Sequence, residues 1–170
     1  MYEAVEFIIQ SALKKKKCFC ATPNVDHIVR LQKDSEFKSI YSRIDLVLAD
    51  GMPLLWSGHF FGTPFKEKVS GSDLFPKLCN AASKNDLKVF FMGGREGAAI
   101  KTKEEIEKLY SGIKIVGTFC PPFGFEKDDR ENQKVIDSIK AVKPDILFVG
   151  LGSPKQEKWI DVNYEKINVP

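Results

Sequence analysis

Histidine and long apolar runs are scarce in this sequence, and each shortage argues against some classes of function. The two histidines are His27 and His59, and neither belongs to a Ser-His-Asp set or to a His-x-x-x-His zinc pair. Hydrolytic and zinc chemistry are therefore weakly supported. No apolar run approaches the roughly 20 residues of a membrane-spanning helix, and the first residues lack a signal-peptide pattern. We expect a soluble chain, although its substrate need not be soluble.

An excess of one charge is also lacking. The 26 basic and 23 acidic residues give a net charge of +3, which does not favour nucleic acid as a partner. We interpret the one basic run, 14–17, as a solvated helix end, where cations suit the helix dipole; weak contact with anionic lipid is the alternative. The four cysteines fit neither a zinc ribbon nor a disulfide framework. A reducing, cytoplasmic compartment is the default expectation, with Cys18 and Cys20 as small buried apolar side chains on one strand.

Short apolar runs alternate with helical patterns along the whole chain. The apolar runs predict strands at 18–22, 45–50, 87–94, 113–119 and 145–152. Helical spacing predicts helices over 4–14, 25–33, 35–42, 53–61 and 128–141, with others after 70–73, between 94 and 113, and from Pro154 onward. Continuous apolar strands separated by helices are typical of a parallel sheet covered on both faces. We predict one doubly wound, Rossmann-like α/β domain with a mostly parallel sheet of about five or six strands.

Polar and glycine-rich clusters follow four of the predicted strands, where ligands bind in a doubly wound sheet. These clusters are Thr22-Pro23-Asn24, Ala49-Asp50-Gly51, Gly93-Gly94-Arg95 and Gly150–Gln156. Glycine lets backbone N–H groups approach a ligand, and the following helix N-terminus favours negative charge. Two such turns could hold a diphosphate; the alternative is that they only make tight turns. GGREG and GLGSPKQ match neither the dinucleotide nor the P-loop signature, which disfavours a nicotinamide or ATP site.

Asp50 is the best candidate for acid–base chemistry among these residues. It closes an apolar strand and precedes a glycine, so its carboxylate would project into a cleft above the sheet and could accept a hydroxyl proton. The alternative is a helix N-cap or turn aspartate. Thr22 and Asn24 could offer a hydroxyl and an amide to a sugar, or could cap the helix that begins near Asp26. No Asp-x-Asp pair follows a predicted strand to hold a divalent metal.

Six segments in order resemble the WecG/TagA/CpsF glycosyltransferases. They are TPNVDHIV, ADGMPLLW, VSGSDLF, VFFMGG, IVGTFCPPFGF and ILFVGLGSPKQEKWI, from about residue 20 to residue 160. The resemblance implies transfer of an N-acetylmannosamine-type sugar from a UDP donor to a sugar on undecaprenyl diphosphate, for wall teichoic acid or surface polysaccharide. It also implies inversion at the anomeric carbon, with no metal and no cofactor beyond the substrate UDP-sugar.

The resemblance assigns roles to residues by motif. Asp50, in the ADG motif, would be the base for the acceptor hydroxyl. Thr22 and Asn24, in the T-P-N motif, would lie at the sugar site. Positions lining the nucleotide pocket would be Gly71, Ser72, Gly93, Gly94, Gly152 and Gln156. Glycine-loop amides and helix dipoles would stabilise the leaving UDP. The family also suggests a protein peripheral to the inner face of the cell membrane, and subunits that assemble into a homo-oligomer.

Two departures from the family pattern support an alternative function. Family members usually have a further strand segment before the first helix and a C-terminal segment bearing arginines, and we expect residues 1–170 to be a single catalytic core that lacks both. A nucleotide-sugar binding module without turnover is therefore the second hypothesis. An NAD-type oxidoreductase is disfavoured by the missing dinucleotide fingerprint. A purely structural role is disfavoured because a sheet core does not need polar clusters at four strand ends.

Overall fold

The computed structural model describes residues 1–95 and 97–170, so Glu96 of the GGREG segment lies outside the described residues. Helices and strands alternate as the sequence predicts. The helices are α1 Tyr2–Leu13, α2 Val25–Leu31, α3 Ser35–Tyr41, α4 Met52–Phe60, α5 Gly71–Lys84, α6 Ala98–Leu109, α7 Asp129–Val142 and α8 Lys155–Ile167. The strands are β1 Cys20–Ala21, β2 Leu46–Val47, β3 Lys88–Gly93, β4 Lys114–Phe119 and β5 Ile146–Gly150, and a short 3-10 turn spans Phe125–Lys127.

The strands form two parallel sheets. In one, β1 pairs with β2; in the other, the order is β4-β3-β5. The predicted α/β fold is confirmed, and the strands of the described residues number five. They divide between two sheets because no ladder of backbone hydrogen bonds joins β1 to β5 within residues 1–95 and 97–170. The first two strands are also shorter than predicted, since each pairs over two residues only.

Helices cover both faces of the three-stranded sheet. Successive side chains of β3 point to opposite faces, so they pack into two different clusters. Val89 and Phe91 pack into one apolar cluster with residues of α1, α5 and α6. Phe90 and Met92 pack into a second cluster on the other face, with residues of α7 and α8 that include the buried Trp159. The two clusters enclose β3 at the centre of its sheet. Because the three strands are parallel, their carboxyl ends lie at one edge of the sheet.

The cysteines of the described residues are free thiols. Cys79 is buried, whereas Cys18 and Cys20 are half-buried. Cys20 begins β1 but Cys18 lies before it, so the expectation of two buried thiols on one strand was wrong, because β1 is shorter than its apolar run. Burial raises the pKa of Cys20 and of Cys79 to about 12, with the neighbouring Cys18 adding to the effect at Cys20. Both thiols therefore stay protonated at neutral pH and act as small apolar side chains.

The basic run 14–17 follows the end of α1, as predicted, but two of its lysines are paired. The ammonium of Lys15 bonds to Asp145, which directly precedes β5. The ammonium of Lys17 lies 2.6 Å from a carboxylate oxygen of Glu165. These contacts place the run at the amino ends of the strands, opposite the predicted site. In the part of the chain that the structure describes, no helix is long and apolar enough to cross a membrane.

Candidate active site

A cleft of about 520 Å³ separates β1 from β5. It extends from Cys18 and Asp145 at the amino ends of these strands to Thr22 and Gly150 at their carboxyl ends. Most of its wall is apolar and comes from α1, α5, α8 and the two strands. Its volume is in the range of small-molecule sites, which are usually apolar with a few polar groups that orient the ligand.

The predicted site residues divide into those that line this cleft and those that lie beside it. Five of them line it: Thr22, Gly71, Gly93, Gly94 and Gln156. The lining does not include Asn24, Asp50, Ser72 or Gly152. The structure therefore brings together residues from the ends of β1, β3 and β5 and from the start of α5, as expected for a ligand site in a parallel α/β protein.

Glycines at the ends of β3 and β5 allow these two chain segments to touch. Gly93 has φ +106°, and a Cβ added there would lie 2.6 Å from the carbonyl carbon of Gly150. The N–H of Gly94 donates to the carbonyl oxygen of Gly150 at 2.9 Å. Only glycine can occupy position 93 without separating the strand ends. This contact forms part of the cleft wall on the side of β3 and β5.

Thr22 and the start of α5 form the opposite wall. A Cβ added at Gly71 would lie 3.1 Å from the hydroxyl oxygen of Thr22, so a larger residue there would crowd that hydroxyl. Ser70 caps α5, because its hydroxyl accepts the N–H of Asp73 at 3.2 Å. The exposed Ser72 hydroxyl lies 3.1 Å from that of Ser70. Ser72 is thus adjacent to the cleft without lining it.

Asp50 lies next to the Thr22 loop and has an unpaired carboxylate. Its backbone N–H donates to the carbonyl of Pro23 at 2.9 Å. The N-cap of α4 is Gly51, with φ +122°, so Asp50 does not cap this helix. Within residues 1–95 and 97–170, its half-buried carboxylate makes no hydrogen bond or ion pair. A carboxylate in this state can accept a proton from a bound hydroxyl.

The polar side chains of two strand-end loops are connected to each other. Asn24 caps α2, as the alternative interpretation of this residue predicts: its Oδ1 accepts the N–H of Asp26 at 3.0 Å. Gln156 accepts the N–H of Gly152 through Oε1 at 3.1 Å. Between these loops, Nε2 of His27 lies 3.3 Å from Oε1 of the buried Glu157.

His27 and Glu157 are site residues that sequence reasoning missed. The motifs that histidine usually signals are hydrolytic and zinc-binding ones, which His27 does not match, and Glu157 stands out only as part of the family segment ILFVGLGSPKQEKWI. A local signal did exist for His27, which is the third residue of α2, where side chains such as Glu and Gln close a capping box. Nothing local indicates its pairing with Glu157, because the two residues come from opposite ends of the chain.

The side chains described at this site do not form a cluster of the kind that binds a metal ion. Across residues 1–95 and 97–170, no group of three or more His, Cys, Asp or Glu side chains could hold a metal ion. The positively polarised groups available to an anion are instead the helix N-termini at the cleft, chiefly that of α6, because Ala98 and Ala99 line it.

The fold and the cleft are those of a parallel α/β protein with a candidate ligand site at the carboxyl ends of its strands. The chain belongs to the glycosyl transferase WecG/TagA/CpsF family, whose model matches residues 1–170. The resemblance identified from the sequence is thereby confirmed.

The curated relatives described below share one enzyme name with each other. The chain is 31% identical over 147 residues to an N-acetylglucosaminyldiphosphoundecaprenol N-acetyl-beta-D-mannosaminyltransferase of Bacillus spizizenii, covering 86% of this chain and 55% of the relative. It is 27% identical over 142 residues to the Staphylococcus aureus (strain NCTC 8325 / PS 47) protein of that name, covering 84% of this chain and 54% of the relative. The chain spans about half the length of the curated relatives it matches.

Proposed function

We propose that residues 1–170 form the catalytic core of an inverting, metal-independent glycosyltransferase. It moves an N-acetylmannosamine-type sugar from a UDP donor to a sugar on undecaprenyl diphosphate, in teichoic acid or surface polysaccharide synthesis. The observation that carries this proposal is the position of Asp50. Its backbone N–H donates to the carbonyl of Pro23, the residue after Thr22, which lines the carboxyl end of a cleft large enough for a small ligand. Among the described residues the Asp50 carboxylate makes no hydrogen bond or ion pair. The names of the relatives support both the sugar and the lipid carrier.

The UDP diphosphate binds at the first turn of α6 in this proposal. Ala98 and Ala99 line the cleft. The N–H of Ala98 donates to the carbonyl oxygen of Arg95 at 2.9 Å, so in this proposal the diphosphate binds the N–H groups that follow it in the first turn, which have no partner within the helix. Two glycine amides near the cleft are not free to bind the diphosphate, since the N–H of Gly94 donates to Gly150 and that of Gly152 donates to Gln156. The helix N-terminus therefore supplies most of the favourable field for the leaving UDP.

Asp50 acts as the general base of a single displacement. The acceptor hydroxyl attacks the anomeric carbon on the face opposite UDP, so the new C–O bond forms as the bond to UDP breaks. The hydroxyl proton passes to the Asp50 carboxylate, and UDP leaves with the bonding electrons. Attack opposite the leaving group inverts the anomeric centre. The base must be ionised and within hydrogen-bond reach of the hydroxyl.

An exposed apolar surface on α4 suits an acceptor carried by a lipid. Met52, Trp56 and Phe60 are exposed and lie four residues apart, so they share one side of the helix. The helix begins two residues after Asp50, which places this surface next to the proposed base. Trp is common at membrane–water interfaces. We propose peripheral binding at the inner face of the cell membrane; self-association through the same apolar surface is the competing use.

The test is release of UDP from UDP-N-acetylmannosamine, measured with and without an acceptor sugar carried on a short-chain lipid diphosphate. Release that requires the acceptor, together with a disaccharide product of inverted anomeric configuration, is the expected result. Addition of EDTA should leave the rate unchanged if no metal takes part. Donor binding without acceptor-dependent release would instead identify a nucleotide-sugar binding module. Absence of both would refute the proposal.

A further inference from the structure

His27 and Glu157 form a buried pair between the first turns of α2 and α8. Nε2 of His27 lies 3.3 Å from Oε1 of Glu157, and the two side chains are 12% and 2% exposed. Each residue follows one strand-end loop of the candidate site: His27 follows the loop after β1, and Glu157 follows the loop after β5. The pair therefore connects the loops on the two sides of the cleft, and Glu157 itself lines the cleft.

The pair is the centre of a continuous set of hydrogen bonds. Nδ1 of His27 lies 2.7 Å from Oδ1 of Asn24. On the other side, Oε1 of Glu157 accepts Nε2–H of Gln156 at 3.1 Å, and Oε1 of Gln156 accepts the N–H of Gly152 at 3.1 Å. Nδ1 of His27 also lies 3.3 Å from the backbone N of Asn24, whose N–H it accepts in the capping box. The ring thus faces Asn24 through Nδ1 and Glu157 through Nε2, and Glu157 in turn bonds to Gln156.

This connection matters because the backbone provides none at the same place. The strands β1 and β5 belong to different sheets, and the cleft separates them. Other polar links between these parts of the described chain are more exposed. One is the ammonium of Lys158, 3.1 Å from Asp34 with about a third of each side chain exposed. Ion pairs in that setting are screened by water and hold geometry weakly.

Stability alone does not explain a carboxylate in this position. Oε2 of Glu157 is buried without a hydrogen-bond partner among the described residues, and so is the hydroxyl of Tyr41. Burial acts to raise the pKa of Glu157, but hydrogen bonds from His27, its own N–H and Gln156 outweigh it, and the pKa is lowered. A buried charge with one unpaired oxygen is expensive, and buried ion pairs are weak evidence for a stabilising role.

We propose that His27 and Glu157 are positioning residues, which set the spacing of the Asn24 and Gln156 loops across the donor cleft. Glu157 belongs to the lining of the cleft and His27 does not; in this proposal neither side chain takes part in the chemistry. The pair acts by keeping two polar side chains in register where no sheet ladder does so. Its effect on sugar transfer rests on the proposed function, whereas its effect on the two loops does not.

The first experiment measures amide hydrogen exchange by NMR in the ligand-free chain. The variants are His27→Gln, which keeps a side chain suited to the capping box but loses the bond to Glu157, and Glu157→Gln, which keeps the shape and removes the charge. The reporters are the N–H groups of Asp26 and Gly152, each bonded to a side chain of its own loop. The control is Lys158→Gln, which removes the more exposed link from the same helix.

Each substitution should loosen the loop that does not carry it. His27→Gln should speed exchange at Gly152, and Glu157→Gln should speed exchange at Asp26, by about tenfold in each case. Lys158→Gln should leave both reporters unchanged. If exchange rises only in the loop that carries the substitution, the two loops are not coupled and the proposal is wrong. This result does not depend on whether the chain transfers sugar.

The second experiment compares kinetics of the same variants. Each single substitution should lower kcat by about 10- to 100-fold through misplacement of bound donor. The double variant should be no slower than the slower single variant, because both changes weaken the same connection. Losses that multiply in the double variant, or a His27→Gln protein with unchanged kcat and donor KM, would overturn the positioning role. Absence of turnover in the unmodified chain would count against the proposed function only, since the exchange data decide the coupling.

Discussion

Substitution of Gly93 by alanine tests the contact between the ends of β3 and β5 in the cleft wall. Gly93 has φ +106°, and a Cβ there would lie 2.6 Å from the carbonyl carbon of Gly150. The backbone strain of a non-glycine residue at such an angle costs about 1–3 kcal/mol. The overlap requires the ends of β3 and β5 to separate by about 1 Å, and overpacking of that kind costs a further 1–3 kcal/mol or so.

We therefore expect Gly93→Ala to destabilise the fold by about 3 kcal/mol, with a range of roughly 2–6. For a chain of this size, the melting temperature should fall by about 6–12 °C. Urea unfolding can be followed by tryptophan fluorescence, because Trp159 is buried in the core that contains β3 and becomes exposed on unfolding. Donor affinity should also fall, since Gly93 and Gly94 line the cleft.

Gly124→Ala is the matched control for backbone strain without overlap. Gly124 has φ +81°, and a Cβ there would meet no atom within 4 Å. Its substitution should cost only the strain, about 1–2 kcal/mol. If Gly93→Ala and Gly124→Ala destabilise the chain equally, the ends of β3 and β5 are not in the close contact described above, and the reasoning on the cleft wall is refuted.

Three further outcomes follow from single contacts. Asp145→Asn should cost about 1.5–3 kcal/mol at neutral pH. Burial acts to raise the pKa of Asp145, but the Lys15 ammonium and the Lys88 N–H lower it overall. The difference in unfolding free energy between the variant and the unmodified chain, measured in urea, should therefore shrink as the pH falls below about 4. A difference that does not change with pH would contradict this. Thr22→Val should weaken UDP-sugar binding about tenfold in calorimetry by removing a hydroxyl of the cleft, whereas unchanged affinity would exclude Thr22 from the donor site. Trp56→Ser should lower sedimentation with lipid vesicles at least threefold without changing the melting temperature, and unchanged vesicle binding would exclude α4 as the membrane surface.

Much of the fold could be predicted because apolar runs and helical spacing are local signals. Strand β3 is the clearest case: its residues 88–93 are apolar after Lys88 and end at glycines, and it lies at the centre of its sheet. Strands β1 and β2 were predicted over longer ranges, because an apolar run does not show how many of its residues find a hydrogen-bonded neighbour. The separation of β1 from β5 is a tertiary feature, since the cleft between them is walled by residues of α1, α5 and α8, and no local pattern carries that information.

The candidate site could be predicted in part for the same reason. Strand ends and glycines are visible in the sequence, and the structure brings Thr22, Gly93 and Gln156 to one cleft. Whether a side chain caps a helix or faces the ligand depends on a rotamer that the sequence does not show, which is why both uses of Asn24 and of Asp50 were open. The pair of His27 and Glu157 depends on tertiary contact alone.

The most direct measurement of the proposed chemistry compares this chain with its Asp50→Asn variant in acceptor-dependent UDP release. Asparagine has nearly the same shape but cannot take the hydroxyl proton. We expect release to fall by about a hundredfold or more, while UDP-sugar binding in calorimetry stays unchanged because Asp50 does not line the cleft. Equal acceptor-dependent release from the two proteins would remove Asp50 as the base and contradict the proposed mechanism.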